Sequence, residues 1–161
     1  MTKSESIYFF GTCLIDLLYP NAGLTAMQLI RKEGIQVIFP KKQGCCGQPA
    51  FNSGYRDEAL AVARALMKCF PKDIPIVVPS GSCSGMIKHH WPELFASQPD
   101  EQQALDIASR TFELTEYLVE HLQIKLTDRG EATKVAIHTS CSARREMKVA
   151  EHIESLVAQL N

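Results

Sequence analysis

Six cysteines are the residues of this chain with the clearest capacity for chemistry. Cys13 stands alone, Cys45 and Cys46 are adjacent between two glycines, and Cys83 lies in a loop of glycine and serine. Six cysteines in 161 residues are too few for a disulfide-stapled mini-domain. In a reducing compartment, clustered cysteines more often bind metal or carry out redox chemistry. The pattern therefore predicts a site built from thiolates.

These residues leave three kinds of thiolate site open. Four thiolates match the ligand number and softness of an iron–sulfur cluster. A structural zinc site uses the same ligands, although such sites usually come as Cys-x-x-Cys pairs, which adjacent Cys45 and Cys46 do not form. The third possibility makes Cys83 a nucleophile, with His89 or His90 as its base.

Hydrophobic runs punctuated by glycine and proline predict strands that alternate with helices. The predicted strands are residues 7–10, 36–39, 74–78 and 135–137. The predicted helices cover residues 20–34, about 53–70, about 99–123 and about 147–160. Continuous apolar strands alternating with helices are typical of a parallel sheet covered on both faces. We therefore expect an α/β fold, namely a Rossmann-like open parallel sheet of about four strands with helices on both faces.

The cysteines occupy equivalent places in this predicted order. A cysteine follows each predicted strand: Cys13, the Cys45–Cys46 pair, Cys83 and Cys141. Because the carboxyl ends of parallel strands meet at one edge of the sheet, where ligands bind, these distant residues are expected to converge. Cys69 is the exception, since it lies on the apolar face of a helix and is interpreted as a small core residue.

The overall composition excludes several classes of protein. The chain has 17 basic and 18 acidic residues, so no basic excess predicts a nucleic-acid partner. No apolar run approaches the roughly 18 residues of a membrane-spanning helix. The apolar run near the N-terminus is too short for a secretory signal. A soluble protein located in the cytoplasm is therefore the expectation.

The cysteine spacing resembles that of a known family. Thirty-one residues separate Cys13 from Cys45, Cys46 follows directly, and thirty-six residues separate Cys46 from Cys83. This arrangement is similar to the cysteine-rich CCG domain found in heterodisulfide reductase and in related iron–sulfur proteins. The flanking segments Gly11-Thr12-Cys13, Gly44-Cys45-Cys46-Gly47-Gln48-Pro49 and Ser80-Gly81-Ser82-Cys83 most resemble the lactate-utilization branch of the family.

Two departures from the family pattern bear on what this chain contains. Met86 stands where the family's final Cys-x-x-Cys would place a second cysteine, an absence that the lactate-utilization branch shares. The family carries two copies of the motif, and the segment ending in Cys141 repeats the strand-then-cysteine opening of the first copy. Only 20 residues follow Cys141. We therefore expect an N-terminal fragment, with a first CCG repeat at 1–126 and, at 127–161, a linker and the start of a truncated second repeat.

The resemblance implies a function as well as a fold. It implies a 4Fe-4S-type cluster held by Cys13, Cys45, Cys46 and Cys83, with Cys141 as a further candidate ligand. It also implies an iron–sulfur oxidoreductase subunit that passes electrons in a cytoplasmic, multi-subunit system oxidising L-lactate to pyruvate. A thiol/disulfide redox role like that of heterodisulfide reductase is the alternative within the family. The fragment alone is expected to be inactive and to self-associate through surface that the missing half would cover.

Overall fold

The structure, a computed structural model, describes residues 4–127, 130–131 and 133–160. Within this part, four strands form one parallel sheet in the order β2-β1-β3-β4. The register places Ile7 opposite Val37, Phe9 opposite Val77, and Val77 opposite Phe112. The strands are β1 (Ser6–Phe9), β2 (Gln36–Ile38), β3 (Ile76–Val78) and β4 (Thr111–Glu113).

Nine α-helical segments surround this sheet in the described residues. Those before β3 are α1 (Cys13–Leu18), α2 (Pro20–Lys32), α3 (Gln48–Asn52) and α4 (Arg56–Met67). Those after it are α5 (Gly81–Gly85), α6 (Trp91–Leu94), α7 (Glu101–Ser109), α8 (Leu114–Glu116) and α9 (Ala150–Val157). Wider π-helical turns occupy Met86–His90, Tyr117–His121 and Ser142–Glu146.

Both faces of the sheet are covered by helices. Alternate side chains of β1 point to opposite faces, so Ile7 and Phe9 enter one buried cluster while Tyr8 enters the other. The Ile7 cluster includes residues of α2, of the π-helical turn after α8 and of α9, whereas the Tyr8 cluster includes residues of α4, α6 and α7. Fully burying a side chain of this size stabilises the fold by about 1.5–3 kcal/mol. The expected α/β architecture is therefore confirmed.

The fourth strand lies elsewhere than predicted. Residues 135–137 form no strand, and Val135 and Ile137 are exposed. The edge position beside β3 is taken by β4, which interrupts the helix predicted over residues 99–123. Because β4 fills the place beside β3, residues 135–137 do not pair with β3.

Arg110 explains why the predicted long helix breaks where it does. Its guanidinium donates to the carbonyls of Ile74 and Phe70 at 2.8 and 2.9 Å, and its own carbonyl accepts from Ile76 N at 2.8 Å. These bonds fix the chain beside the start of β3. The following Thr111 is fully buried and β-branched, which favours an extended backbone.

Cys141 consequently has a different setting from the one predicted. It does not follow a strand but precedes the π-helical turn Ser142–Glu146, and it is exposed. That turn packs directly on α5. A methyl group on Gly81 would lie 2.8 Å from the backbone nitrogen of Ala143, and one on Gly85 would overlap the Glu146 carboxylate. Two glycines thus allow the C-terminal segment to approach the helix that carries Cys83.

Among residues 4–127, 130–131 and 133–160, no helix is both long and apolar enough to cross a bilayer.

Substituting Gly81→Ala is expected to lower the free energy of unfolding by about 1–3 kcal/mol, because the added methyl overpacks the contact with Ala143. Urea unfolding measures the loss. Gly44→Ala is the matched control, since a methyl there meets no atom within 4 Å. Equal losses in the two variants would show that the C-terminal turn does not pack on α5.

Candidate functional site

The strand order creates a crevice beside the cysteines. From β1 the chain continues to β2 on one side of the sheet, whereas β3 and β4 lie on the other side of β1. In an open α/β sheet, ligands bind outside the carboxyl ends of the strands where the order reverses in this way. Cys13 follows β1 and Cys83 follows β3, so one cysteine stands on each side of this switch point.

The four predicted site cysteines come together as two interacting pairs. Cys13 Sγ lies 4.0 Å from Cys45 Sγ, a separation compatible with a thiol hydrogen bond. The Cys46 and Cys83 thiols interact, since each shifts the pKa of the other. Electrostatic interactions link the pairs, since Cys13 responds to the charge of Cys83 and Cys46 responds to that of Cys45. The structure therefore brings the sulfurs of three loops into one neighbourhood.

Exposure differs systematically between the two pairs. Cys46 is 1% exposed and Cys83 is 7% exposed, whereas Cys45 is half-buried and Cys13 is exposed. The buried pair forms the inner wall of the site, against the core cluster that includes Trp91. The other pair faces outward, so a group held here would have one side protected and one side accessible from the surface.

Two glutamines tie the cysteine loops to one another. Gln43 Oε1 accepts a hydrogen bond from Gly11 N at 3.0 Å, joining the loop after β2 to the loop that leads to Cys13. Gln48 Nε2 donates to the Ser82 carbonyl at 3.2 Å, joining the Cys-Cys segment to the Cys83 helix. Each bond spans more than 30 residues of sequence. The glutamines thus fix the three loops relative to one another.

A buried hydrogen bond from the core holds the backbone of the Cys-Cys segment. Trp91 Nε1 donates to the Cys46 carbonyl at 3.0 Å in a buried hydrogen bond. Gly47 then adopts a φ of +91°, and a methyl on it would lie 3.1 Å from the Ala59 carbonyl oxygen. Only glycine takes this conformation and approach without strain. The residue after the two cysteines is therefore constrained both by backbone conformation and by packing against α4.

Hydrogen bonds make Cys83 the more acidic member of the buried pair. The bond from Cys46 lowers the pKa of Cys83 to about 7, opposed by burial and assisted by the hydroxyls of Ser80 and Ser82. The same interaction, followed by burial, raises the pKa of Cys46. Burial, and then the neighbouring Cys45, raise the pKa of Cys13.

These residues fit a group bound through thiolates. The four sulfurs are soft donors, the type that iron–sulfur clusters and zinc require. The Nε2 atom of Gln43 is buried without a hydrogen-bond partner in the described structure, two residues before Cys45. It is a buried donor that a group bound in the site could satisfy. Within the described residues, no three His, Cys, Asp or Glu side chains are close enough to hold a single metal ion as they stand.

The remaining sequence candidates lie outside this neighbourhood or have other partners. Cys69 is half-buried at the end of α4 and packs against the core cluster, with Sγ 3.9 Å from the Ala65 carbonyl. His89 is exposed, and the His90 ring packs on Phe51 at 5.2 Å. Within the described part of the chain, no hydrogen bond joins either histidine to Cys83. A nucleophile–base pair therefore gains no support.

Sequence reasoning missed the residues that position the cysteines. The hydroxyls of Ser80 and Ser82 interact with the Cys83 sulfur and lower its pKa, a role not assigned to them from the sequence. The short helix α5 begins at Gly81 and includes the cysteine. Gln43 and Gln48 flank the Gly-Cys-Cys-Gly motif on both sides, and this position in the sequence could have identified them as residues that hold the cysteine loops.

Replacing Gln48→Ala is expected to lower the free energy of unfolding by about 1 kcal/mol, because the Ser82 carbonyl loses its bond across the site. It should also speed the alkylation of Cys83 in the native state, since its helix is no longer tied to the Cys-Cys segment. Urea unfolding and peptide-resolved alkylation measure the two effects. Gln28→Ala, on the exposed side of α2, is the control and should change neither the free energy of unfolding nor the alkylation rate of Cys83. If both quantities stay unchanged in Gln48→Ala as well, the bridging role is contradicted.

Replacing Ser82→Ala is expected to raise the pKa of Cys83 above its value of about 7, because one donor to the thiolate is lost. The ultraviolet absorbance of the thiolate measures this in reduced, metal-free protein, and Cys83→Ser assigns the transition. Folding lowers the pKa of Cys83. The thiolate therefore stabilises the folded state at pH values above the ordinary thiol pKa, and this contribution is lost as the pH falls through about 7.

In the same titration, Ser155→Ala is the control, since its hydroxyl bonds to the His152 carbonyl far along the chain. An unshifted transition in Ser82→Ala would show that the serine does not act on Cys83.

Comparison with known proteins agrees with this geometry. The model of the CCG cysteine-rich domain family matches residues 7–88, which contain all four gathered cysteines. The chain is 36% identical over 158 residues to lactate utilization protein A of Geobacillus thermodenitrificans, covering 93% of this chain and 66% of that protein. It is 38% identical over 156 residues to lactate utilization protein A of Shouchella clausii, covering 96% and 65%.

A third relative, lactate utilization protein A of Bacillus pumilus, is 40% identical over 148 residues, covering 90% of this chain and 61% of that protein. The chain thus spans slightly less than two thirds of the length of these curated relatives. No solved structure matches it significantly. The matched segment contains the Cys-Cys-Gly motif and the cysteines that the sheet gathers at its switch point, and the chain belongs to the CCG cysteine-rich domain family.

Proposed function

We propose that this protein is an iron–sulfur subunit of a system that oxidises L-lactate to pyruvate. The observation that carries the proposal is the convergence of four cysteines from three strand ends, two of them buried and two near the surface. Electron carriers need this combination, since burial protects the inorganic group while an accessible side allows electrons to enter and leave.

Cys13, Cys45, Cys46 and Cys83 are the proposed ligands, and the group they suit is a cluster of the 4Fe-4S type. Such a cluster, when bound, accepts and donates single electrons. The chain's own residues hold and tune it. Ser80 and Ser82 direct hydroxyls at the Cys83 sulfur, and hydrogen bonds to ligand sulfurs are among the main determinants of a cluster's potential.

The lactate role rests on the relatives, which are named lactate utilization protein A. Because this chain covers less than two thirds of their length, the complete reaction is proposed for an assembly and not for these 161 residues alone. We propose that its partners are the other subunits of a cytoplasmic lactate-oxidising complex.

Residues 127–161 are proposed as a linker and the start of a second repeat. The π-helical turn after Cys141 packs on α5, the helix that carries Cys83. This proximity supports Cys141 as a further candidate ligand. Residues 135–137, an exposed apolar segment without strand partners in the described structure, have the β-branched composition of a strand.

Protein prepared without oxygen is expected to contain iron and acid-labile sulfide and, once reduced, to give an electron-spin signal. Cys45→Ser should lose most of the iron, because serine replaces a soft thiolate ligand with a hydroxyl. Cys69→Ser is the matched control, since that thiol lies at the end of α4 outside the site, and it should keep the wild-type content. Iron that is equal in both variants, or one equivalent of zinc in place of iron and sulfide, would overturn the cluster; the zinc result would instead establish a structural metal site.

The same two variants test the lactate role in the organism that encodes the chain. Growth on L-lactate as carbon source should be lost when the gene is deleted and restored by Cys69→Ser but not by Cys45→Ser. Undiminished growth of the deletion strain would overturn the lactate assignment and leave the metal analysis standing.

A further inference from the structure

We propose that Cys13 and Cys45 also form a dithiol site that exchanges with the disulfides of small thiols, closing to an intramolecular disulfide when the site carries no metal. The two sulfurs lie 4.0 Å apart and are already in hydrogen-bond contact. A disulfide requires about 2.05 Å between sulfurs, so closure needs a movement of about 2 Å. That distance is within the range of a small helix shift.

The helix that carries Cys13 is the element best able to make this movement. None of the residues of α1 is buried. Leu14, Leu17 and Leu18 are 61%, 79% and 58% exposed, so the helix has few packed contacts to lose. Segments with few buried apolar contacts open at low free-energy cost. Cys45, by contrast, is half-buried on a loop that Gln43 ties to Gly11.

Geometry disfavours two other pairings among these four thiols. Adjacent Cys45 and Cys46 have Cα atoms about 3.8 Å apart, which is shorter than the roughly 4.4–6.8 Å of ordinary disulfides. Cys46 and Cys83 are in contact but are 1% and 7% exposed, so a dissolved oxidant does not reach them. Of these four thiols, Cys13 is the exposed one and is therefore the first that an incoming disulfide meets.

The exchange between the two cysteines and a small-molecule disulfide balances in atoms and electrons without any further reactant. The Cys13 thiolate attacks one sulfur of a small-molecule disulfide, forming a mixed disulfide and releasing one small thiolate. Cys45, as thiolate, then attacks the Cys13 sulfur of the mixed disulfide, forming the Cys13–Cys45 bond and releasing the second small thiolate. Two protons leave the cysteines and two thiols form, so the dithiol is oxidised by two electrons and the small disulfide is reduced by two.

This exchange would regulate the site described above. The disulfide removes two of the four proposed ligands, so the oxidised chain would not take up a cluster until a thiol reduced it. The exchange itself depends only on the two sulfurs, whereas this consequence rests on the proposed function. The pair would then couple metal loading to the ratio of small thiol to disulfide in the surroundings.

The test uses the reduced, metal-free 161-residue chain incubated with glutathione disulfide without oxygen. We expect, after digestion without reductant, a peptide pair joined through Cys13 and Cys45, beside a separate mixed disulfide at the exposed Cys141. In Cys45→Ser the second step is blocked, so Cys13 should retain a glutathionyl group. Cys69→Ser is the control and should form the same peptide pair as the wild type.

Three outcomes would overturn the proposal: six thiols remaining, a Cys46–Cys83 pair as the product, or a Cys45–Cys46 pair as the product. Iron uptake by the reduced chain is measured separately. Failure of uptake would overturn the cluster and leave the disulfide result intact, whereas uptake by the fully oxidised chain equal to that by the reduced chain would overturn the regulatory consequence alone.

Discussion

The parallel pairing of β1 with β3 is the constraint on which the site depends. Tyr8 N donates to the Pro75 carbonyl at 2.8 Å and Phe10 N donates to the Val77 carbonyl at 2.9 Å, so the two strands end side by side. Their following segments, one carrying Cys13 and the other Cys83, must therefore leave the sheet at neighbouring points. With β2 paired on the other side of β1, the Cys-Cys segment joins them.

Side-chain hydrogen bonds then convert this proximity into a defined arrangement. Gln43 and Gln48 tie the loops across the site, and Trp91 holds the Cys46 carbonyl from the core. The result is asymmetric, with a rigid buried pair and an accessible pair next to a loosely packed helix. The proposed cluster would use all four sulfurs, whereas the proposed disulfide exchange would use only the accessible pair.

Much of this could be predicted from residue types and spacing. The first three strands and the gathering of four cysteines follow from apolar runs that each end in a cysteine-bearing, glycine-rich segment. The position of the fourth strand could not be predicted, because residues 111–113 lie within a helical pattern of apolar residues while residues 135–137 have the better strand composition. Arg110 decides between them through bonds to carbonyls about 36 and 40 residues away.

The sequence by itself determined that the side chains available for chemistry are thiols, because the identity and order of the cysteines are local properties. It also determined the alternation of strands and helices, since the spacing of apolar residues along the chain differs between the two. Only the tertiary structure decided which thiols touch, which are buried and which residues donate to them. Those properties depend on hydrogen bonds and packing between residues far apart in sequence, such as Gln48 with Ser82 and Ala143 with Gly81, and no local pattern encodes them.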